Sequence, residues 1–185
     1  GTAGITVNIT PLAITALWAG VNRVYDGSVN VAVLGTSSDI LTGDLDPRAK
    51  LLRGASTGPK NMMEGIDSTF AAVVFIGYHA RAGTPNAILA HTSNGNVVDF
   101  SINGRSLPEG GYNALVAGLY GVPVVFVAGD GAVVRQLREL LGNIDGVATK
   151  EAISGAINGL SPMAAQDAIR RGVERAVRAR ATYRP

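Results

Sequence analysis

The 185-residue sequence contains no cysteine. This absence excludes disulfide cross-links, a thiolate nucleophile and zinc sites built from cysteine. The sequence also lacks an apolar run of the 18 or more residues that a membrane-spanning helix requires. Its 16 lysines and arginines stand against 14 acidic residues, and the net charge of +2 is too small to indicate a nucleic-acid partner. These absences predict a protein that binds neither nucleic acid nor a membrane.

The first residues, GTAGITVNITPLAITALWAG, are partly apolar but carry no basic leader of the kind that opens a signal peptide. We therefore expect a soluble, cytoplasmic protein. The length fits one domain with a core of useful size, so residues 1–185 are predicted to form a single α/β domain. Near the C-terminus, arginines alternate with apolar residues at helical spacing, which predicts a solvated helix face. A phosphate-binding or membrane-surface strip is the alternative.

Short strands alternate with helices along the chain. Segments NVAVLG at 30–35 and LLRG at 51–54 read as strands. AAVVFIGY at 71–78 is apolar throughout, which is typical of a strand buried on both faces in a parallel sheet. VPVVFVAGD is a second such strand, and it leads into GAVVRQLRELLGN, a helix with apolar residues three and four positions apart.

Turn and cap residues mark further boundaries. VVDFSING predicts a hairpin that turns at Asn103 and Gly104. EGGYNALVAGLYG reads as a helix that stops at Gly121. Ser161 as N-cap and Pro162 at the first helical position predict a C-terminal helix, whereas TKEAISGAINGLSP is ambiguous. Buried strands followed by helices predict a three-layer α/β/α sandwich with a mostly parallel central sheet.

Both histidines of the chain lie just beyond the strand at 71–78. His79 follows that strand and Asp130 ends the next buried strand, at the carboxyl ends where open α/β sheets gather their chemistry. A neutral imidazole there can bind a metal or relay a proton, or it can be a structural hydrogen-bonded group. His79, His91 and Glu109 form a weak metal pattern by spacing alone. No H-E-x-x-H, P-loop or G-x-S-x-G motif is present.

Three long stretches resemble a known family: MMEGIDSTFAAVVFIGYHARAGTPNAILAHT, INGRSLPEGGYNALVAGLYGVPVVFVAGD and KEAISGAINGLSP. Together, from Leu45 to Pro162, they resemble the M55 family of D-aminopeptidases. The resemblance implies a zinc-dependent metallopeptidase that removes N-terminal D-residues from short peptides or amides. It also implies a ring-shaped homodecamer of two stacked pentamers. Relative to the family, the chain is expected to be shortened at both ends.

The resemblance also implies roles for individual residues. The His of the G-Y-H-A motif is a metal ligand in the family, which corresponds to His79. The His of the following A-H-T motif has the catalytic role, which corresponds to His91. The Glu before the G-x-N-A stretch is a further metal ligand, which corresponds to Glu109. With zinc bound at His79 and Glu109, His91 would carry out the proton transfers of amide hydrolysis.

Three of the five metal ligands that the resemblance implies are missing from the matching positions. The family opens with Asp-x-Glu-Gly-Ile, where this chain has GTAGIT, so that Gly1 and Ala3 replace both acids. The His of a family N-D-S-H turn falls in VLGTSSD, which contains none. A catalytic zinc normally has three protein ligands, so we expect a weakened or rearranged site. Asp39, Asp99 and Asp130 are the candidate substitutes.

Three hypotheses remain open from the sequence. The first is a D-aminopeptidase-like metallopeptidase with a reduced or rearranged site. The second is a metal-poor, non-catalytic relative that serves as an oligomeric scaffold or binds a small ligand. The third is a hydrolase without metal, in which His91 works with Asp99 and the hydroxyl of Ser93 or Thr92. It is the weakest, because no nucleophile elbow surrounds Ser93. Metal content separates the first two.

Overall fold

The structure is a computed structural model. It describes residues 13–18, 21–26, 46, 48–52 and 58–185, with the backbone alone in 13–18, in 21–26 and at position 51. The strand predicted at 30–35 lies outside these residues, as do Arg53 and Gly54 of the strand predicted at 51–54. All structural statements below refer to the described part of the chain.

Nine strands and three α-helices follow one another in that part of the chain. They are β1 (Ala13–Trp18), β2 (Val21–Asp26), β3 (Lys50–Leu51), β4 (Val73–Tyr78), β5 (Ser101–Ile102), β6 (Arg105–Ser106), α1 (Glu109–Leu119), β7 (Val124–Asp130), α2 (Gly131–Leu141), β8 (Asp145–Ile153), β9 (Ala156–Gly159) and α3 (Pro162–Arg178).

Seven of the strands form one sheet in the order β3-β2-β1-β4-β7-β8-β9. Its centre is parallel, because β1 pairs with β4, β4 with β7 and β7 with β8 in the same direction. The pairs β1–β2, β2–β3 and β8–β9 are antiparallel and lie towards the two sides. The predicted α/β fold with a parallel central sheet is confirmed, with antiparallel additions at both edges.

Two apolar clusters cover the two faces of the sheet. On one face, Val73 and Phe75 of β4 pack with side chains of α1 and α2, such as Ala117 and Leu137. On the other face, Val74 and Ile76 of β4 and Phe126 of β7 pack against α3. Successive strand residues point to opposite faces, so a strand between two helix layers must be apolar at every position. The three-layer arrangement explains the unbroken apolar runs of β4 and β7.

The segment that the sequence left ambiguous is an antiparallel hairpin made of β8 and β9. Its turn contains Ser154, whose positive φ of 54° is uncommon for a residue with a side chain, and Gly155. Ile153 and Ile157 are exposed on it. Because β9 is exposed at every position, it lacks the apolar alternation by which a half-buried strand is recognised.

Other local predictions are confirmed. The β5–β6 hairpin turns at Asn103 and Gly104, both with positive φ, as a two-residue turn of this type requires. α1 ends before Gly121, which has φ 71°. The Ser161 side chain accepts a hydrogen bond from the Ala164 amide at the start of α3, and Pro162 is the first helical residue.

Helix α3 is amphipathic. Ile169, Val173 and Val177 are buried on its inner side, while its arginines on the outside form ion pairs with Asp167, Glu174 and Asp145. None of the helices in the described ranges has both the length and the apolar character needed to cross a bilayer.

Candidate functional site

The candidate site lies at the carboxyl ends of β4 and β7. These strands are parallel neighbours, with Tyr78 paired to Gly129, so the residues that follow, His79 and Asp130, are at the same edge of the sheet. The chain then runs through a long connection, which contains His91, and returns to begin α1 at Glu109. The topology therefore brings the predicted site residues to one edge, although they are 12 and 18 positions apart in the sequence.

His79 is held by a backbone carbonyl. Its Nδ1 lies 3.1 Å from the carbonyl oxygen of Ile88, and since a carbonyl only accepts hydrogen bonds, Nδ1 carries the proton. Nε2 of the neutral ring is then left with its lone pair. Burial lowers the pKa of His79 below its ordinary value, and the charges of His91 and Lys150 act in the same direction, whereas the bond to Ile88 opposes them. A neutral ring with Nδ1 anchored in this way is typical of metal-binding histidines.

Asp130 anchors the same loop residue from the other side. One carboxylate oxygen accepts a hydrogen bond from the Ile88 amide at 2.6 Å, and the other caps α2 by accepting from the Val133 amide at 2.8 Å. The residue is 1% exposed. Each oxygen thus accepts a backbone hydrogen bond, so Asp130 acts as a helix cap and loop anchor. Its role as a substitute metal ligand, which the sequence suggested, stays a prediction.

His91 lies between the other two predicted site residues. Its ring centroid is 5.0 Å from that of His79, and its Nε2 is 3.3 Å from Oε2 of Glu109. Its Nδ1 is 2.8 Å from the Leu89 carbonyl oxygen and therefore carries a proton, by the argument used for His79. The structure places His79, His91 and Glu109 in one cluster.

The contact between His91 and Glu109 requires a shared proton. With Nδ1 as a donor, Nε2 of a neutral ring would present a lone pair to the carboxylate, which is repulsive. A hydrogen bond forms only if Nε2 is protonated or if Glu109 is the acid. Burial raises the pKa of Glu109, and the charge of His91 and hydrogen bonds from Tyr112 and Ser93 act in the opposite direction. The pair can therefore hold one transferable proton.

A hydrogen-bonded network that the sequence did not reveal surrounds Glu109. The Tyr112 hydroxyl donates to Oε1 of Glu109 at 3.3 Å, and the Ser93 hydroxyl is 2.9 Å from the same tyrosine oxygen. Burial raises the pKa of Tyr112 to about 12, so the phenol keeps its proton. Glu109 and Tyr112 are three residues apart and share one side of α1. That spacing is the only sequence signal for the pair, and it is common to all helices.

The donors at this edge fit zinc in type. Imidazole nitrogen and carboxylate oxygen are both ordinary zinc ligands, and His79 Nε2 and Glu109 supply one of each. Within residues 13–18, 21–26, 46, 48–52 and 58–185, no group of three His, Cys, Asp or Glu side chains is placed to hold a metal ion. The described residues thus offer two donors and not a closed coordination sphere. Asp39 and positions 1–3 and 35–38 lie outside them.

The structure does not assemble the metal-free hydrolase that the sequence left open. The Ser93 hydroxyl is bonded to Tyr112, and the buried Thr92 hydroxyl accepts a hydrogen bond from the Ala82 amide. Asp99 is exposed, and no hydrogen bond or ion pair joins it to His91 in the described part of the chain. No hydrogen bond or ion pair joins Asp99 to His79 or Glu109 in the described residues either, and its role as a substitute ligand stays a prediction.

Comparisons with known proteins find D-aminopeptidases. A family model described as D-aminopeptidase, peptidase family M55, matches residues 26–185. The D-aminopeptidase of Bacillus subtilis (strain 168) is 42% identical over 126 residues, which are 68% of this chain and 45% of that protein. A solved structure, the Zn-dependent D-aminopeptidase DppA from Bacillus subtilis, a self-compartmentalizing protease, is similar with a TM-score of 0.74 and 36% identity.

The structural match covers 80% of this chain and 53% of DppA. The chain therefore spans about half the length of the relatives that it matches. The family model, in contrast, covers well over half of this chain. The chain belongs to the M55 family of D-aminopeptidases.

Proposed function

We propose that this chain carries the site of a zinc-dependent D-aminopeptidase, which removes N-terminal D-residues from short peptides or amides. The observation that supports this most directly is the position of His91, whose ring contacts both the His79 ring and the Glu109 carboxylate. Three residues that the family resemblance singles out therefore converge from a strand end, a loop and a helix start.

In this proposal His79 and Glu109 hold the metal. His79 would bind through Nε2, because Nδ1 is bonded to the Ile88 carbonyl. Glu109 would bind through its carboxylate at the first residue of α1, where the helix dipole favours negative charge. Bound zinc supplies a water of lowered pKa and polarises the carbonyl of the scissile amide.

His91 moves the proton. Its Nδ1 is fixed by the Leu89 carbonyl, so that only Nε2 faces the cluster. Nε2 would take a proton from the attacking water and then give it to the departing amine, as a general base and acid. The contact with Glu109 holds Nε2 in place between these two transfers. The substrate would be a peptide or amide short enough to reach this edge of the sheet.

Assembly belongs to the same proposal. The solved relative is described as a self-compartmentalizing protease. For this chain we propose a homo-oligomer, whose complete form is the ring-shaped decamer.

The first test pairs elemental metal analysis with hydrolysis of a D-alanyl amide, on protein purified without chelators. We expect near-stoichiometric zinc and turnover in the unmodified chain. His91→Ala should retain zinc and lose turnover by about 10²–10⁴-fold, the usual contribution of general acid–base catalysis. His79→Ala should lose both zinc and turnover. Turnover in His91→Ala equal to that of the unmodified chain would remove His91 from the mechanism.

The alternative is a metal-poor, non-catalytic relative that acts as an oligomeric scaffold or binds a small ligand. The observation in its favour is that the described residues supply two metal donors and no group of three. In that case the unmodified chain would bind no zinc and would not hydrolyse the D-alanyl amide in the same experiment. An L-alanyl amide is the matched substrate control.

A further inference from the structure

The hydroxyl of Tyr112 connects the Glu109 carboxylate with the loop that carries His91. It donates to Oε1 of Glu109 at 3.3 Å and lies 2.9 Å from the hydroxyl of Ser93, two residues after His91. Since the tyrosine has one hydroxyl proton and uses it towards the carboxylate, Ser93 must be the donor to Tyr112. The Ser93 hydroxyl therefore donates to the Tyr112 hydroxyl, which in turn donates to the Glu109 carboxylate.

A second contact of the same side chain holds the loop. The Tyr112 ring packs edge-on against Phe100, with ring centroids 5.2 Å apart, an arrangement that aromatic pairs prefer. Tyr112 thus touches the His91 loop at Ser93 with its hydroxyl and at Phe100 with its ring. Ser93 itself has a positive φ of 63°, a conformation that a serine keeps only where its surroundings hold it.

Glu109 is therefore held at both oxygens. Oε1 accepts from Tyr112, and Oε2 faces Nε2 of His91 at 3.3 Å. A carboxylate at the end of a flexible side chain can rotate, and a bond at one oxygen fixes the direction of the other. Loss of the tyrosine hydroxyl would remove its bond to Oε1 and release the Ser93 hydroxyl, and the Ser93 backbone amide and His91 would remain as partners of Glu109.

We infer that Tyr112 is a positioning residue, which fixes the Glu109 carboxylate and the His91 loop relative to each other. Its meaning for catalysis rests on the proposed function, whereas its effect on His91 can be measured without metal. Partners that orient a metal ligand or a catalytic group typically change metal affinity or activity by about 10–100-fold when they are removed.

The test uses Tyr112→Phe, which deletes the hydroxyl and keeps the ring that packs against Phe100. The matched control is Tyr183→Phe, which deletes a tyrosine–carboxylate hydrogen bond of the same 3.3 Å length, to Asp145, away from the site. The chain has only two histidines, so the ring nitrogens can be followed by ¹H–¹⁵N spectroscopy in metal-free protein, with His79→Gln for assignment.

In the metal-free spectrum we expect Tyr112→Phe to shift the ring nitrogen signals of His91 more than those of His79. Tyr183→Phe should leave both unchanged. Ser93→Ala, which removes only the outer bond of the network, should shift His91 in the same direction and by less. Unchanged His91 signals in both Tyr112→Phe and Ser93→Ala would overturn the inference.

With zinc, competition against a chromophoric chelator should show an affinity about 10-fold lower for Tyr112→Phe, and kcat should fall by about 10–100-fold with KM changed less than about twofold. A rise in KM of about 10–100-fold without loss of kcat would indicate that Tyr112 acts in substrate binding, and it would contradict a positioning role. If the unmodified chain binds no zinc, the proposed function fails, and the metal-free spectrum still decides the role of Tyr112.

Discussion

Asp130 acts on His79 through the backbone of Ile88. The aspartate accepts a hydrogen bond from the Ile88 amide, and the carbonyl of the same residue accepts from His79 Nδ1. One buried carboxylate thus fixes both the start of α2 and the residue that orients the histidine. A change at Asp130 should therefore affect stability and the site together.

At the residue scale we predict that Asp130→Ala lowers the free energy of unfolding by about 2–3 kcal/mol. A lost N-cap costs about 1 kcal/mol, and a partly buried amide left without its acceptor adds about 1–2 kcal/mol. Urea denaturation followed by circular dichroism, at one protein concentration, measures the change.

The matched control is Asp167→Ala, which removes an exposed carboxylate paired with Arg170 and Arg171 on α3. Exposed ion pairs contribute little, so Asp167→Ala should lower the free energy of unfolding by clearly less than Asp130→Ala does. The free energy of unfolding of Asp130→Asn should lie between those of these two variants, because one amide oxygen can replace only one of the two acceptors. Equal stability of Asp130→Ala and Asp167→Ala would contradict the double role of Asp130.

At the element scale, helix α3 approaches the sheet closely through a glycine. A Cβ added at Gly172 would lie 3.1 Å from Cζ of Phe126 and closer still to its Cε2. Phe126 is fully buried in β7, so its ring has no free space to enter. The absence of a side chain at position 172 lets α3 sit against β7 and explains how the third layer packs.

We predict that Gly172→Ala destabilises the protein, although alanine is the better helix former. The propensity gain is about 0.5–1 kcal/mol, whereas overpacking in a close-packed core costs about 1–3 kcal/mol. The midpoint of urea denaturation should fall.

Gly118→Ala provides the control, since this glycine also lies inside a helix, α1, and its added Cβ would make an ordinary contact, 3.7 Å from the Pro185 backbone. It should stabilise the protein slightly or leave it unchanged. If Gly172→Ala behaved like Gly118→Ala, the close approach of α3 to Phe126 would not hold in solution.

At the scale of the whole molecule, the described surface carries several exposed apolar side chains beyond the core. On the β8–β9 hairpin and the residues after it, Ile153, Ile157 and Met163 are 57%, 62% and 82% exposed. Single exposed apolar residues are normal, but several along one sheet edge are a feature of surfaces that meet a partner.

We therefore predict that the chain sediments as an assembly much larger than its 19.0 kDa monomer. Sedimentation velocity at several protein concentrations measures this directly. Ile157→Lys places a charge on the exposed edge strand, which should disfavour edge contacts and shift the distribution towards smaller species. A single species of monomer mass at every concentration would contradict the prediction.

The sequence by itself determined the local elements and the identity of the candidate site residues. The apolar runs of β4 and β7, the Asn103–Gly104 turn and the Ser161–Pro162 helix start all follow from short-range physical preferences, which neighbouring residues suffice to express. The motifs around His79, His91 and Glu109 are specific enough to indicate the family. The β8–β9 hairpin escaped prediction because its second strand is exposed throughout and carries no periodic apolar signal.

Only the tertiary structure decided how these residues meet. Parallel pairing of β4 with β7 places His79 beside Asp130, and the return of the chain to α1 brings Glu109 to His91. Such contacts depend on strand order and register across many residues, for which local periodicity carries no information. The same reason explains why neither the anchoring role of Asp130 nor the contacts of Tyr112 were foreseen. The hydrogen-bond partners of a side chain are set by the fold around it.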